Sequence, residues 1–159
     1  MAYLSANPAA ALYTDSPATA TLEDGLRVRV AGPDGAQAST DMPTSVGGAA
    51  SAPSAGWLLR AAEASCVATL ISMRAAYLGV ALESVSVTVD SQSDDRGILG
   101  LDPTIPAGPL STRIRVAIVA PGVDRADVER LVSWAVEHCP VTDAVRRAVP
   151  LTLEVEVAG

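Results

Sequence analysis

One stretch, residues 54–79, limits what this chain can become. Leu58, Leu59, Ala61, Ala62, Ala64, Cys66, Val67, Leu70, Ile71 and Met73 all fall within it. Wound on a 3.6-residue period, they lie almost all around a helix rather than along one stripe. A helix apolar on every side is buried on every side, so this one should be the central element, covered by sheet or by another subunit. Ser54 suits its start and Gly79 its end. Arg60, Glu63 and Arg74 interrupt the apolar run, whereas a membrane span wants about 20 predominantly apolar residues with few or no charges. The first 13 residues lack the positive start of a signal peptide. The expectation is a cytoplasmic protein with no membrane partner.

The flanking sequence alternates. Leu26, Val28 and Val30 fall on one face of a strand, with Arg27 and Arg29 on the other, and a turn at Pro33-Asp34-Gly35 returns the chain through residues 36–40. Asp41-Met42-Pro43 and Gly47-Gly48 mark a loop reaching about Pro53. Beyond the helix, Val85, Val87 and Val89 alternate with polar residues, and residues 91–110 form a long loop with three prolines. Residues 113–119 give another strand, 125–138 a helix capped by Asp124, 142–148 a short helical turn, and 151–157 a closing strand. The order β-β-α-β-β-α-β is that of an α+β fold. Residues 1–18, rich in Ala, Ser, Pro and Thr, read as an extended N-terminal segment. Residues 19–159 read as a single domain, within the size one core supports.

Charge and residue choice remove several function classes. The formal net charge is −7, and all eleven basic residues are arginine. Nucleic-acid binding, which needs a basic field over phosphates, is excluded as a reading. With no lysine there is no Schiff base and no P-loop. No dinucleotide or HExxH motif occurs, and one histidine with two cysteines cannot complete a tetrahedral zinc site without carboxylates; no cofactor and no metal are called for. The chemistry then falls to Cys66, midway along the central helix, and Cys139, in His138-Cys139-Pro140. Either can be an ordinary small buried residue. Glu63 stands one turn before Cys66 on the same helical face, and a buried carboxylate needs a partner. Arg60 could supply it, or an arginine of the first hairpin.

Asp41-Met42-Pro43, Gly47-Gly48, Pro53, Leu58-Leu59, Ala61-Ala62 and Cys66, followed by a valine-alternating strand and His138-Cys139-Pro140, resemble the core signature of the OsmC-like superfamily. That group includes the organic hydroperoxide resistance proteins, and the likeness spans about residues 20–157. It implies an OsmC-like fold in which two central helices are wrapped by antiparallel sheets in an intertwined homodimer. It implies a thiol-dependent peroxidase acting on organic hydroperoxides or hydrogen peroxide, with Cys66 as nucleophile and Cys139 as resolving thiol. The expected reductant is a dithiol partner, lipoylated or thioredoxin-like. Family members stabilise the thiolate with an arginine held by a glutamate; Arg27 fits the arginine best, with Arg29 beside it. Where that glutamate stands this chain has Gly56 and Trp57, and Glu63 is the substitute the sequence offers. The alternative is an OsmC-fold protein without efficient peroxidase activity that binds a small apolar ligand at the dimer cleft.

Overall fold

Alternation in the first third of the chain builds an antiparallel meander. The computed structural model describes residues 2–157, arranged as two compact units, residues 1–55 and 56–159. The boundary falls inside the stretch 19–159 expected to form one domain.

In the first unit, α1 (Ala2–Ala6) and a 3-10 turn (Pro8–Ala11) precede β1 (Thr19–Asp24), β2 (Arg27–Ala31) and β3 (Gln37–Thr40), paired antiparallel in that order. The lead-in is therefore helical at its start rather than extended, as its alanines favour. Strand β1 goes beyond the sequence reading. All six of its residues are exposed, so no buried face imprinted alternation on them; pairing with β2, Ala20 opposite Val30 and Leu22 opposite Val28, defines it. After β3 the loop is tied to Asp41, which is buried and accepts hydrogen bonds from the Met42 amide (2.7 Å), the Ser51 amide (2.9 Å) and the Ser51 hydroxyl (2.8 Å). These donors, the Ser51 amide foremost, hold its carboxyl below the usual range. Gly48 is a steric necessity here, since a Cβ would lie 1.9 Å from the Met42 carbonyl oxygen.

The second unit contains α2 (Ala55–Leu78), β4 (Ser84–Gln92), α3 (Asp95–Ile98), β5 (Ser111–Val119), α4 (Arg125–Glu137) and α5 (Pro140–Arg146). Helix α2 keeps the limits read from Ser54 and Gly79. Gly79, at φ +70°, ends it as the turn requires: its amide bonds Ala76 and the Val80 amide bonds Ala75, a Schellman closure. Strands β4 and β5 pair antiparallel from Ser84 opposite Val119 to Gln92 opposite Ser111. Their inward valines and isoleucines, Val85, Val87, Ile114 and Val116 among them, pack on a core of Val67, Ile71, Ala75, Leu131, Ala135 and Cys139.

Two expectations are not met within the single chain. Helix α2 is not buried on every side: Glu63, Val67, Ile71 and Ala75 form a single buried line, while Trp57, Met73 and Tyr77 are exposed. The closing strand is not formed either. Residues 148–157 are irregular, and Leu151, Leu153, Val155 and Val157 are 72–87% exposed. Alternation marks a segment able to pair, but a strand exists only where an edge is there to receive it. Among the described residues, β4 and β5 use each other and nothing pairs with residues 148–157.

Candidate dithiol site

Helix geometry puts Glu63 and Cys66 of α2 one turn apart on neighbouring positions. The second cysteine comes from a break between helices. Chain direction changes after α4 ends, and Pro140, which has no amide to leave unpaired, opens α5 at its first position. Cys139 becomes the N-cap residue of α5, and its sulfur accepts from the Thr142 amide at 3.4 Å. Both cysteines are reduced; Cys66 is half-buried and Cys139 fully buried. The Cys66 and Cys139 thiols are near enough to shift each other's acidity, and the Val141 amide lies beside both. Separated by 73 positions in the chain, the two thiols thus form one pair.

Their acidities are pushed apart. Burial raises the Cys66 thiol first, and the neighbouring Cys139 raises it further; the Val141 amide alone opposes them. Burial also works to raise Cys139, but the Thr142 hydroxyl and amide, the Cys66 thiol and the Val141 amide outweigh it, so Cys139 ends below the ordinary thiol value.

Glu63 is 3% exposed, as is Thr142, whose hydroxyl donates to Glu63 Oε1 at 3.1 Å. Beside them lies a cavity of about 290 Å³ whose wall includes Ser111, Thr112 and Arg146. Arg60, one of the candidate partners for Glu63, instead reaches across to β4 and donates to the Ser91 hydroxyl at 3.1 Å. Thr142 is the residue that sequence reasoning missed. It touches both Glu63 and Cys139, and its only trace in the sequence is a position inside the first turn after Pro140. A larger groove, about 670 Å³ and lined chiefly by Leu59, Pro109, Pro140, Val141, Ala144 and Val145, opens along the residues that follow Cys139.

Arg27 belongs to the first unit. It bonds Glu23 (3.4 Å), the Ser51 hydroxyl (3.0 Å) and the Ser39 hydroxyl (3.5 Å). Arg29, two residues on and on the same strand face, shares Glu23 at 3.2 Å. Because the Ser51 hydroxyl donates to Asp41, Arg27 is oriented through a buried acid that the sequence reading had assigned only to a loop motif.

A reduced dithiol reached from a helix break is an arrangement that comparison with known proteins can place. A family model described as OsmC-like protein matches residues 48–154, which include α2 and both cysteines. The chain belongs to the OsmC-like family. No curated protein matches it. Among solved structures it is similar to a Legionella pneumophila protein described as an organic hydroperoxide resistance protein OsmC (28% identity, TM-score 0.59, covering 85% of this chain and 90% of that one). It is also similar to an OsmC-like protein from Mycoplasma pneumoniae (12% identity, TM-score 0.72, 86% and 91%) and to the organic hydroperoxide resistance protein OhrB of Bacillus subtilis (20% identity, TM-score 0.55, 90% and 98%). The latter two speak for the fold alone. This OsmC-like protein therefore has the α+β fold its sequence announced. Among its described residues no helix is long and apolar enough to cross a membrane, and no His, Cys, Asp and Glu side chains gather as a metal site.

Proposed function

We propose that this OsmC-like protein is a thiol-dependent peroxidase reducing organic hydroperoxides or hydrogen peroxide, with Cys66 as nucleophile and Cys139 as resolving thiol. The observation that carries the reading is the pairing of the two reduced cysteines. The Cys66 thiolate attacks the O–O bond, becoming a sulfenic acid and releasing an alcohol; Cys139 then condenses with it, expelling water and leaving a disulfide. A dithiol reductant, lipoylated or thioredoxin-like, returns both thiols by exchange. Cys66 suits the first role because it is half-buried where Cys139 is enclosed. The groove beyond Cys139 suits an alkyl chain, small-ligand sites being mostly apolar. Arg27 is the proposed thiolate-stabilising cation, on the family resemblance.

The same reading takes the protein as a cytoplasmic, intertwined homodimer, with residues 19–159 as one domain. Support comes from the uncovered face of α2 and from the exposed alternation of residues 151–157, a strand without an edge in its own chain. Sedimentation should return twice the 16.2 kDa chain mass.

The test is hydroperoxide consumption with a dithiol supplied. Wild type should turn over, and Cys66→Ser should not. The second reading, an apolar-ligand binder without efficient catalysis, has one observation in its favour: the Cys66 thiol is pushed up rather than down. Hydroperoxide turnover that is lost in Cys66→Ser supports the peroxidase, and apolar-ligand binding by a wild type that consumes no hydroperoxide supports the binder.

A further inference from the structure

We propose that the cavity beside Glu63 and the groove next to it form one ligand site, which takes a small amphiphile with a protonated amine as its head and an apolar tail. The two spaces share a rim: Pro109, Thr112 and Val145 wall both the cavity of about 290 Å³ and the groove of about 670 Å³. Their chemistry differs. Leu59, Pro140, Val141 and Ala144 line the groove, whereas Glu63, Ser111, Thr142 and Arg146 line the cavity. An apolar groove with a few polar groups gathered at one side has the form of a small-molecule site, in which the polar groups fix orientation.

Glu63 sets the sign of the head group. It belongs to the buried line of α2 and is 3% exposed. Burying a carboxylate is costly unless donors surround it, and its two oxygens have room for about four. The Thr142 hydroxyl supplies one at 3.1 Å, while Arg60, a turn earlier on α2, turns its guanidinium to Ser91. A primary ammonium brings three donors and a compensating charge. Arg146 also lines the cavity, but it is an exposed residue, and water and salt screen its charge. The charge of an enclosed carboxylate acts through a medium of lower dielectric and is felt more strongly. A cation is therefore favoured over an anion at this end.

The cavity accommodates a head group and little more, since 290 Å³ is about ten times the liquid volume of one water. A tail must pass the shared rim and lie along Pro140, Val141 and Ala144. The site rests on this placement alone and stands whether or not the thiols turn over a peroxide.

Calorimetric titration of the reduced full-length protein with octylamine, 1-octanol and octanoate, one tail under three head groups, tests the proposal. Octylamine should bind saturably and roughly 10- to 10²-fold tighter than octanol, the range of a hydrogen bond to a charged group, and octanoate should bind weakest. Each methylene removed from the amine should weaken binding about two- to fourfold. The net charge of −7 draws any cation to this chain, so the series is repeated at high salt, where an enclosed pair persists and diffuse attraction fades. Glu63→Gln keeps an oxygen for the Thr142 hydroxyl and should bring amine and alcohol within about threefold of each other; Glu154→Gln, which removes an exposed charge, should leave the preference intact. No saturable binding, octanoate bound as tightly as octylamine, an amine preference that salt abolishes, or equal losses in the two variants overturns the proposal. Should Glu63→Gln not fold, Ala144→Trp, which fills the groove, decides: loss of the tail-length dependence supports the shared site, and an unchanged dependence overturns it.

Discussion

Cys66 lies half-buried inside α2, while Cys139 lies fully buried at a helix break with the Thr142 amide turned toward its sulfur. The backbone around each sulfur is what sets the two apart. Within α2 each amide is occupied by the carbonyl four residues back, and none is left for a side chain. The opening turn of α5 has orphan amides, and a thiolate is a ready acceptor for them. Against the effect of burial, those donors pull the Cys139 thiol below its ordinary value, while burial pushes the Cys66 thiol up. The contrast teaches that backbone amides at a helix break can favour a thiolate where a continuous helix cannot.

The contrast breaks most sharply if the wrong sulfur is oxidised. In Cys139→Ser exposed to hydroperoxide, a dione reagent should trap a sulfenic acid on Cys66, and in Cys66→Ser no label should appear on Cys139. Steady turnover should fall by roughly three orders of magnitude in either variant, because the two residues act as a unit. Mass spectrometry of the labelled peptide reads the outcome, and a label on Cys139 would reverse the assigned roles.

A cation is the other way to favour a thiolate, and Arg27 against Arg29 measures how much of that route is used. The two share Glu23, but Arg27 alone also bonds Ser51, which is anchored to Asp41. Arg27→Ala should lower the rate of peroxide reduction about 10²-fold, the low end for one electrostatic donor to a reacting group, and Arg29→Ala should leave it within about twofold. Equal losses would mean that general charge rather than a positioned guanidinium is at work.

Thr142 tests the enclosed side. Thr142→Val keeps the shape but removes the hydroxyl that donates to Glu63, leaving a buried carboxylate short of its partner. The cost should be about 2 kcal/mol, read from the urea midpoint at unchanged slope and equal protein concentration. Thr142→Ser should recover most of it. A Thr142→Val protein as stable as wild type would show that Glu63 finds water through its cavity instead.

These residues also show where the sequence was readable. Helix α2 could be bounded because Gly79 and the apolar run are local signals, and β4 with β5 because Val85, Val87, Ile114 and Val116 alternate on one buried face. The cysteines could be nominated because few other reactive side chains exist. What stayed hidden was long-range. Thr142 and Glu63 are 79 residues apart, and nothing near either one marks the other. Strand β1 stayed hidden for the opposite reason: it is exposed along its whole length, and burial is what writes a period into a strand. The closing alternation of residues 151–157 was legible as a pairing pattern, but the chain itself offers it no edge.

The finest test of the contrast uses stability against pH in the reduced protein. For Cys139 the folded pKa lies below the ordinary thiol value of 9.0. Between the two, the unfolded chain binds more protons than the folded one, so stability rises with pH across that window. For Cys66 the folded pKa lies above 9.0, with burial the first cause. Past 9.0 the unfolded thiol ionises first, the folded chain binds more protons, and stability falls as pH rises toward the folded value. Wild type should therefore climb toward 9.0 and decline beyond it. Cys139→Ser should lose the rising limb, and Cys66→Ser should lose the falling one while keeping the climb, because the Thr142 and Val141 amides are still in place. The differences between the three proteins isolate the two thiols. Denaturant unfolding at several pH values supplies the slopes. Exchanged limbs would put the thiolate on α2 and require the amides of α5 to be spent elsewhere.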